Sequence, residues 1–557
     1  MMQYKQLFSS YISRIWGNKT TIFLFFLNLI TNSPFLLASR YHSLIYVGYW
    51  IVVSAVFSTI EGILIQGLKK IHLHQLFLGI IVFLHLLLAT VDMFMYYIFK
   101  FIFNQDAVDI ITQTTTNEAV SFLSTYLTVP FVISTILIVI CLVWSLNRIA
   151  TIIATKKWFH IFYMVLSLLG ALLYGVSIKN YMLYNNGQDA PQFHAFTRAA
   201  YSCKVVFIRL SHIETLQEIN SHVSATMPAN NVNTIIFIIG ESFSPYHSSL
   251  YGYNKETNPF LAKRHDEGSL TVFSDAVTIS DHTEGVMSPL FSMMNRSQWY
   301  YMAPLFPTCF KAAGYQTIML DNQYFVGNGI SFLTDKKLSS MMFDYRNTDS
   351  YDYDGDMLQE MHITDTPQLI VLHLQGQHYT YSNRYPKTFA HFKSSDYNNL
   401  TDNQKEIVAH YDNATLYNDY VIEQIIKSVE NKDCIVVYIS DHGEELYELD
   451  NYTGHGNAAL RDDPTYQIKV PLFIWTSEQF NTKHSDKAQR IKDSADKPIL
   501  TTDLSHFLLD VADISTKSFN PEQSFINDHY KCDHRIILNT IYFEDIKRKP
   551  RVKSRYY

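Results

Sequence analysis

Residues 434–457 read CIVVYISDHGEELYELDNYTGHGN. The first seven are uncharged and mostly β-branched or aromatic, which predicts a short strand buried on both faces, as in a parallel sheet. The polar burst that follows carries the chemistry. In an open parallel sheet the loops converge at the carboxyl ends of the strands, and ligands collect there. Asp441 and His442 reach that position side by side on a turn that Gly443 permits, and His455 returns shortly afterwards within TGHGN.

Five more runs share this character: TIIFIIGES from Thr234, LTVFSDAVT from Leu270, YQTIMLDNQ from Tyr315, QLIVLHLQG from Gln368 and VPLFIWTS from Val470. Helical patterns fall between them. The longest covers about Asp402 to Glu430, with Ile407, Val408, Tyr411, Leu416, Tyr420, Ile422 and Ile425 as its apolar stripe. Strands alternating with helices predict an α/β domain with a central, mostly parallel sheet over residues 226–557. Glu241 then ends the first strand, and His378 follows the IVLHLQG run by a few residues. Four candidate ligands converge from distant parts of the chain.

A length of 557 residues exceeds what one hydrophobic core organises. The N-terminal part is a second unit of another kind, because apolar residues crowd positions 1–180 in long runs. Five stretches, about 20–38, 44–66, 75–98, 126–146 and 158–178, have the length and composition of membrane-spanning helices. The first carries Asn28, Asn32 and Pro34, but no small-residue cleavage site follows it, so a helix is expected rather than a removable signal. With the N-terminus in the cytoplasm, inner segments hold Lys5, Arg14, Lys19, Lys69, Lys70, Arg148, Lys156 and Lys157, whereas outer loops hold only Arg40 and Lys100. Five crossings place the C-terminal domain outside.

Glu61, His85 and Asp92 fall inside these spans, where ionisable groups pair with one another or line a functional cavity. Both readings, helix packing and lipid handling, remain open at this level. The outer loop from about Lys100 to Thr125 has apolar residues at helical spacing, as does the connector over residues 181–225. The net charge of −7 comes without a basic stripe, which argues against a nucleic-acid partner. Cys141, Cys203, Cys309, Cys434 and Cys532 form no CxxC pair and suggest neither a zinc knuckle nor a disulfide framework.

Two carboxylates and an imidazole suit Zn2+, which accepts oxygen and nitrogen ligands in four-coordinate geometry. Glu241, Asp441 and His442 supply three ligands, and the fourth should be the reacting group. Thr283 is the candidate, since it follows a strand and precedes the helical run EGVMSPLFSMM, and a hydroxyl facing such a cation loses its proton more readily. Each residue also has a plainer reading. A strand-end Glu is often a cap or a solvated side chain, and Thr283 alone is an ordinary helix cap.

The segments GESFSPYHSSLYGYNKETNPFL from Gly240, HLQGQHYTYSNRYPKTF from His373 and SDHGEELYELDNYTGHGN from Ser440, with the Thr283 region, resemble the alkaline phosphatase and sulfatase superfamily. More narrowly, they resemble the membrane phosphoethanolamine transferases that modify lipopolysaccharide. That resemblance implies that Glu241, Thr283, Asp441 and His442 bind a catalytic zinc, and that Thr283 carries a covalent phosphoethanolamine. It implies that His378 and His455 contact phosphate or hold a second zinc, and that Asn117 and Glu118, within TTTNEAVSFL, contact the ethanolamine head group. It further implies a monomer in a Gram-negative inner membrane with its catalytic domain in the periplasm, a phosphatidylethanolamine donor, and an acceptor in lipopolysaccharide (lipid A or core) or another envelope glycan. Paired cysteines near Thr283 are missing, which is similar to the cysteine-poor, core-modifying branch.

Three competing readings stand beside this one. A phosphoglycerol transferase differs only in the donor head group. A sulfatase needs a cysteine in a CxPxR setting, which none of the five has. A non-catalytic receptor would have no use for an intact ligand set.

Overall fold

The computed structural model describes residues 14–38, 44–99, 102, 103, 108, 129–184, 194–296, 298–323, 331–456, 458, 461, 463–538 and 541–546. The chain forms two compact units, Met1–Leu210 and Ser211–Tyr557.

In the first unit, helices α1 (Lys19–Thr31), α2 (Pro34–Ala38), α3 (Leu44–Leu68), α4 (His74–Phe99), α5 (Val129–Ile153) and α6 (Lys157–Tyr184) precede the long α7 (Ala195–Ser221), which runs on into the second unit. Among the described residues, four helices are long and apolar enough to cross a bilayer: Val47–Ile71, His74–Tyr96, Ile133–Ile153 and Lys157–Val176. The expected first span is instead broken. α1 has 13 residues, about 20 Å at the helical rise, against a hydrocarbon core of about 30 Å. Its interruption has a local cause. The Asn32 amide donates to the Asn28 carbonyl at 2.8 Å, and its oxygen accepts the Ala195 N–H at 2.7 Å. α1 is nevertheless well enclosed: Ile22, Leu24 and Leu27 are fully buried against residues of α3, α5 and α6.

Glu61, His85 and Asp92, the ionisable residues expected inside the spans, are all partnered. His85 Nε2 lies 2.8 Å from Glu61 Oε1, and Asn28 donates to Glu61 Oε2 at 2.9 Å. Asp92 pairs with Arg198 and accepts the Phe103 N–H at 2.9 Å, while Arg198 Nε donates to the Phe103 carbonyl at 2.8 Å. These contacts bridge helices, the packing role that the sequence left open. Most of the outer loop of residues 100–125, with Asn117 and Glu118, lies outside the described residues.

The second unit is built on a seven-stranded sheet. Its strands are β1 (Thr234–Gly240), β2 (Leu270–Phe273), β3 (Gln316–Asp321), β4 (Tyr345–Arg346), β5 (Gln368–His373), β6 (Cys434–Ser440) and β7 (Leu472–Thr476). The order is β2-β7-β6-β1-β5-β3-β4, and β7 runs antiparallel to both neighbours while the rest are parallel. All six expected strands are present. β4, of two residues, was too short to read. Alternate residues of β1 enter opposite cores: Ile235, Phe237 and Ile239 pack with helices α8 (Thr283–Phe291) and α9 (Phe306–Ala313), and Ile236 and Ile238 with α10 (Asp402–Val429). A strand buried on both faces has no polar alternation, as its sequence requires. The five cysteines are free, so none forms a disulfide.

Candidate metal centre

β1 and β6 are parallel neighbours in register, with Gly240 opposite Ser440. The next residue on each chain, Glu241 and Asp441, therefore leaves the sheet at the same level from strands about 4.8 Å apart. This register brings together side chains 200 positions apart. Glu241, Asp441 and His442 are all fully buried, and a ligand atom from each lies within 4.8 Å of the others. His442 Nε2 is 3.3 Å from Glu241 Oε1 and 3.4 Å from Asp441 Oδ2.

Local contacts hold each group in place. Asp441 Oδ1 accepts the N–H of Ser242 at 3.1 Å and of His442 at 2.7 Å, and Ser242 Oγ donates to Glu241 Oε1 at 2.7 Å. Ser242 takes a left-handed φ of 57° to do so. Gly376, after β5, also has positive φ (47°), and a Cβ there would lie 2.9 Å from both the N and O atoms of Glu241. Only glycine lets this loop close over the Glu241 backbone.

Thr283 begins α8, and its hydroxyl donates to Glu241 Oε2 at 3.1 Å and lies 3.5 Å from His442 Nε2. The threonine thus faces the buried trio from a helix N-terminus, where amide groups favour an anion. Asp281, two residues earlier, accepts the Ala458 N–H at 2.7 Å, which ties the loop after TGHGN to the approach of Thr283.

The electrostatics call for a cation. Burial opposes the charged form of Glu241, yet the hydrogen bond and charge of His442 hold its carboxyl well below the usual range. Burial and the neighbouring Glu241 charge push Asp441 up to about 6. Burial would pull His442 down, but the Asp441 and Glu241 carboxylates push it up to about 10. Two adjacent buried carboxylates are thus tolerated only with a positive charge between them. Asp441 Oδ2 is buried with no hydrogen-bond partner. An orphaned carboxylate oxygen beside an imidazole and a second carboxylate is a donor set that suits Zn2+.

His455 lies beside this group: its ring centroid is 4.1 Å from that of His442, and Nδ1 is 2.6 Å from Glu444 Oε2. His442, Glu444 and His455 form a second set able to hold a metal. Glu444 was visible in the quoted DHGEE run but unassigned, although it follows His442 by two positions. His378 is not brought into either set. It is exposed, with Nδ1 at 2.8 Å from the Tyr379 carbonyl. Gln323 was also missed: its amide donates to Glu241 Oε2 at 3.2 Å and to the Leu374 carbonyl at 2.6 Å. No pattern in the sequence marks it, since its role depends on β3 lying beside β5.

Residues 233–514 match the sulfatase family. Phosphoethanolamine transferase EptC of Escherichia coli K12 is 27% identical over 470 residues, 78% of this chain and 80% of its own length. The crystal structure of the C-terminal periplasmic domain of EptC from Escherichia coli, in complex with Zn, superposes with a TM-score of 0.52 at 27% identity, covering 59% of this chain and 98% of that one. The integral membrane lipooligosaccharide phosphoethanolamine transferase A of Neisseria meningitidis shares the fold across 93% of this chain and 98% of its own, with a TM-score of 0.53 at 18% identity.

Proposed function

Since this chain belongs to the sulfatase family, we propose that it is a zinc-dependent transferase that moves phosphoethanolamine from phosphatidylethanolamine to lipopolysaccharide, in lipid A or core, or to another envelope glycan. The observation that carries this reading is the Thr283 hydroxyl, at a helix N-terminus, hydrogen-bonded to a buried Glu241 that shares its pocket with Asp441 and His442. Similarity to a named phosphoethanolamine transferase over 78% of the chain supports the choice of head group.

In the first half-reaction a bond forms between Thr283 Oγ1 and phosphorus, and the bond from phosphorus to the glycerol oxygen breaks. The threonine proton leaves along its hydrogen bond to Glu241 Oε2 and ends on the departing diacylglycerol, so no net proton is consumed. In the second half a bond forms between the acceptor oxygen and the same phosphorus, the bond from phosphorus to Thr283 Oγ1 breaks, and the proton of the acceptor hydroxyl passes to Oγ1. Zn2+ held by Glu241, Asp441, His442 and Thr283 would supply positive charge beside the attacking oxygen and the phosphoryl oxygens, where phosphoryl transfer gains most of its acceleration. Glu444 fixes the His455 ring through Nδ1, leaving Nε2 for the phosphoryl group or a second zinc. His378, Asn117 and Glu118 complete the assignment, with His378 on phosphate and the other two on the ethanolammonium group.

The same reading makes residues 1–180 the membrane domain, with the broken 20–38 segment crossing as α1 and α2 in series to make a fifth span, residues 181–225 the connector and 226–557 a periplasmic catalytic domain acting as a monomer in a Gram-negative inner membrane. Four apolar helices and the fold shared with an integral membrane enzyme support it. The test is mass spectrometry of envelope lipids from cells with and without the protein. Phosphoethanolamine on the acceptor should depend on it, and an unchanged envelope, or phosphoglycerol in its place, would refute the assignment.

A further inference from the structure

The loop between α8 and α9 is closed at its base by a bridge between Ser292 and Leu305 and by the Met293 N–H donating to the Pro304 carbonyl at 2.8 Å. From this fixed base it presents Trp299, 66% exposed, and Met302, 56% exposed, to solvent. Tyr301 beside them stacks on His212 with ring centroids 3.7 Å apart. His212 belongs to α7, the helix that continues from the membrane-spanning unit and exposes Phe207 a little earlier. Behind the aromatic tip is a groove of about 560 Å³ lined by Met293, Met302, Phe519, Asn520 and Lys517. Lys517 is exposed and makes no ion pair among the described residues.

Trp299, Tyr301 and Met302 form one contiguous apolar cluster, with the Trp299 and Tyr301 rings 6.4 Å apart, and a contiguous exposed apolar patch marks an interaction site. Trp and Tyr are the residues whose rings settle at the level of lipid head groups, and a lysine beside them meets a negatively charged surface. We propose that Trp299, Tyr301, Met302 and Lys517 form a bilayer-docking surface of the second unit, seated on the head-group region of an anionic phospholipid membrane. The paired aromatic rings and the charge of Lys517, which no ion pair among the described residues offsets, favour an anionic membrane over a soluble partner. The inference rests on the proposed lipid-dependent reaction and gives that site a means of staying close to its donor.

The test uses the full chain in vesicles of phosphatidylethanolamine and phosphatidylglycerol, with Cys141 and Cys203 replaced by serine and an environment-sensitive fluorophore on Met302→Cys. A Lys263→Cys label, on an exposed side chain elsewhere in the unit, is the control. Blue-shifted emission at 302, quenched by brominated acyl chains, with water-like emission at 263 is expected. Equal, unquenched emission at both positions overturns the proposal. This arm needs no activity, so it stands or falls separately from the transferase assignment. In activity assays, Trp299→Ser and Lys517→Ala should each raise KM for the lipid donor about fivefold with kcat preserved. A rise in KM for the glycan acceptor alone would make the surface a saccharide site and refute membrane docking.

Discussion

Zinc affinity should rise steeply with pH between about 7 and 9, at a slope set by the buried trio. With Glu241 held well below the usual carboxylate range, Asp441 at about 6 and His442 at about 10, the metal-free site at pH 7–9 carries two negative carboxylates and one proton, on the imidazole. Zinc needs that imidazole neutral, so binding releases one proton and Kd falls about tenfold per pH unit, or about a hundredfold from pH 7 to 9. A histidine titrating near 6.5 would already be neutral there, and Kd would change by less than about twofold. Below pH 6 Asp441 is protonated as well, and the slope should approach two. The assay is competition with a fluorescent chelator across this range, with calorimetry in two buffers of different protonation heat to count protons. Thr283→Ala should give the same slope, because the counted proton belongs to His442. A flat profile between pH 7 and 9 would refute the charge assignment of the site. The stability of the metal-free protein runs the opposite way. A raised His442 value stabilises the metal-free protein fully below about 6.5 and the contribution is lost as pH rises through about 10, so chelated protein should melt progressively lower over that window.

Other expectations follow from single contacts. Thr283→Ala should lower head-group transfer by at least about 10³-fold while leaving zinc binding largely present, read by lipid mass spectrometry beside metal analysis; persistent transfer would remove Thr283 from the chemistry. Gly376→Ala places a Cβ 2.9 Å from the Glu241 backbone at φ 47°, adding about 1–2 kcal/mol of backbone strain and weakening zinc about tenfold by displacing its ligand; an unchanged Kd and melting temperature would contradict this. Arg198→Ala strands Asp92, its buried partner, and should destabilise the membrane unit by about 3–5 kcal/mol, measured by thermal unfolding in detergent. Asp92→Leu combined with Arg198→Leu should recover most of that loss, and no recovery would mean that the pair does more than neutralise itself.

The sheet was legible because a doubly buried strand has no polar residues to disguise it, and each of the six apolar runs became a strand. What could not be read was their order. Glu241 and Asp441 meet only because β1 and β6 are in-register neighbours, a fact of tertiary packing that no local pattern encodes. Gln323 is invisible for the same reason, since it acts across the β3–β5 pair. Glu444 was hidden differently: it stands in the quoted run, but its link to His455 appears only when the following loop folds back. At the membrane end, composition identified four helices of spanning length, but it could not show that Asn28 and Asn32 would find partners and split the first apolar stretch into α1 and α2.

Ser242 shows why this site had to be assembled from rigid parts. Fully buried and non-glycine, it holds a left-handed φ of 57°, a conformation that costs an L-residue about 1–2 kcal/mol. The same twist sends its N–H to Asp441 and its hydroxyl to Glu241, while Tyr411 donates to its carbonyl at 2.6 Å. The strain therefore keeps two carboxylates facing each other that would separate if left free, and a fixed pair of negative charges favours a small divalent cation over a proton. Strand register puts the ligands at one level, and Ser242, Gly376 and Gln323 remove their remaining freedom. On the proposed function, a hydroxyl placed beside them by α8 would meet the positive charge of a bound cation without any rearrangement, which is the condition under which electrostatic stabilisation of phosphoryl transfer is most effective.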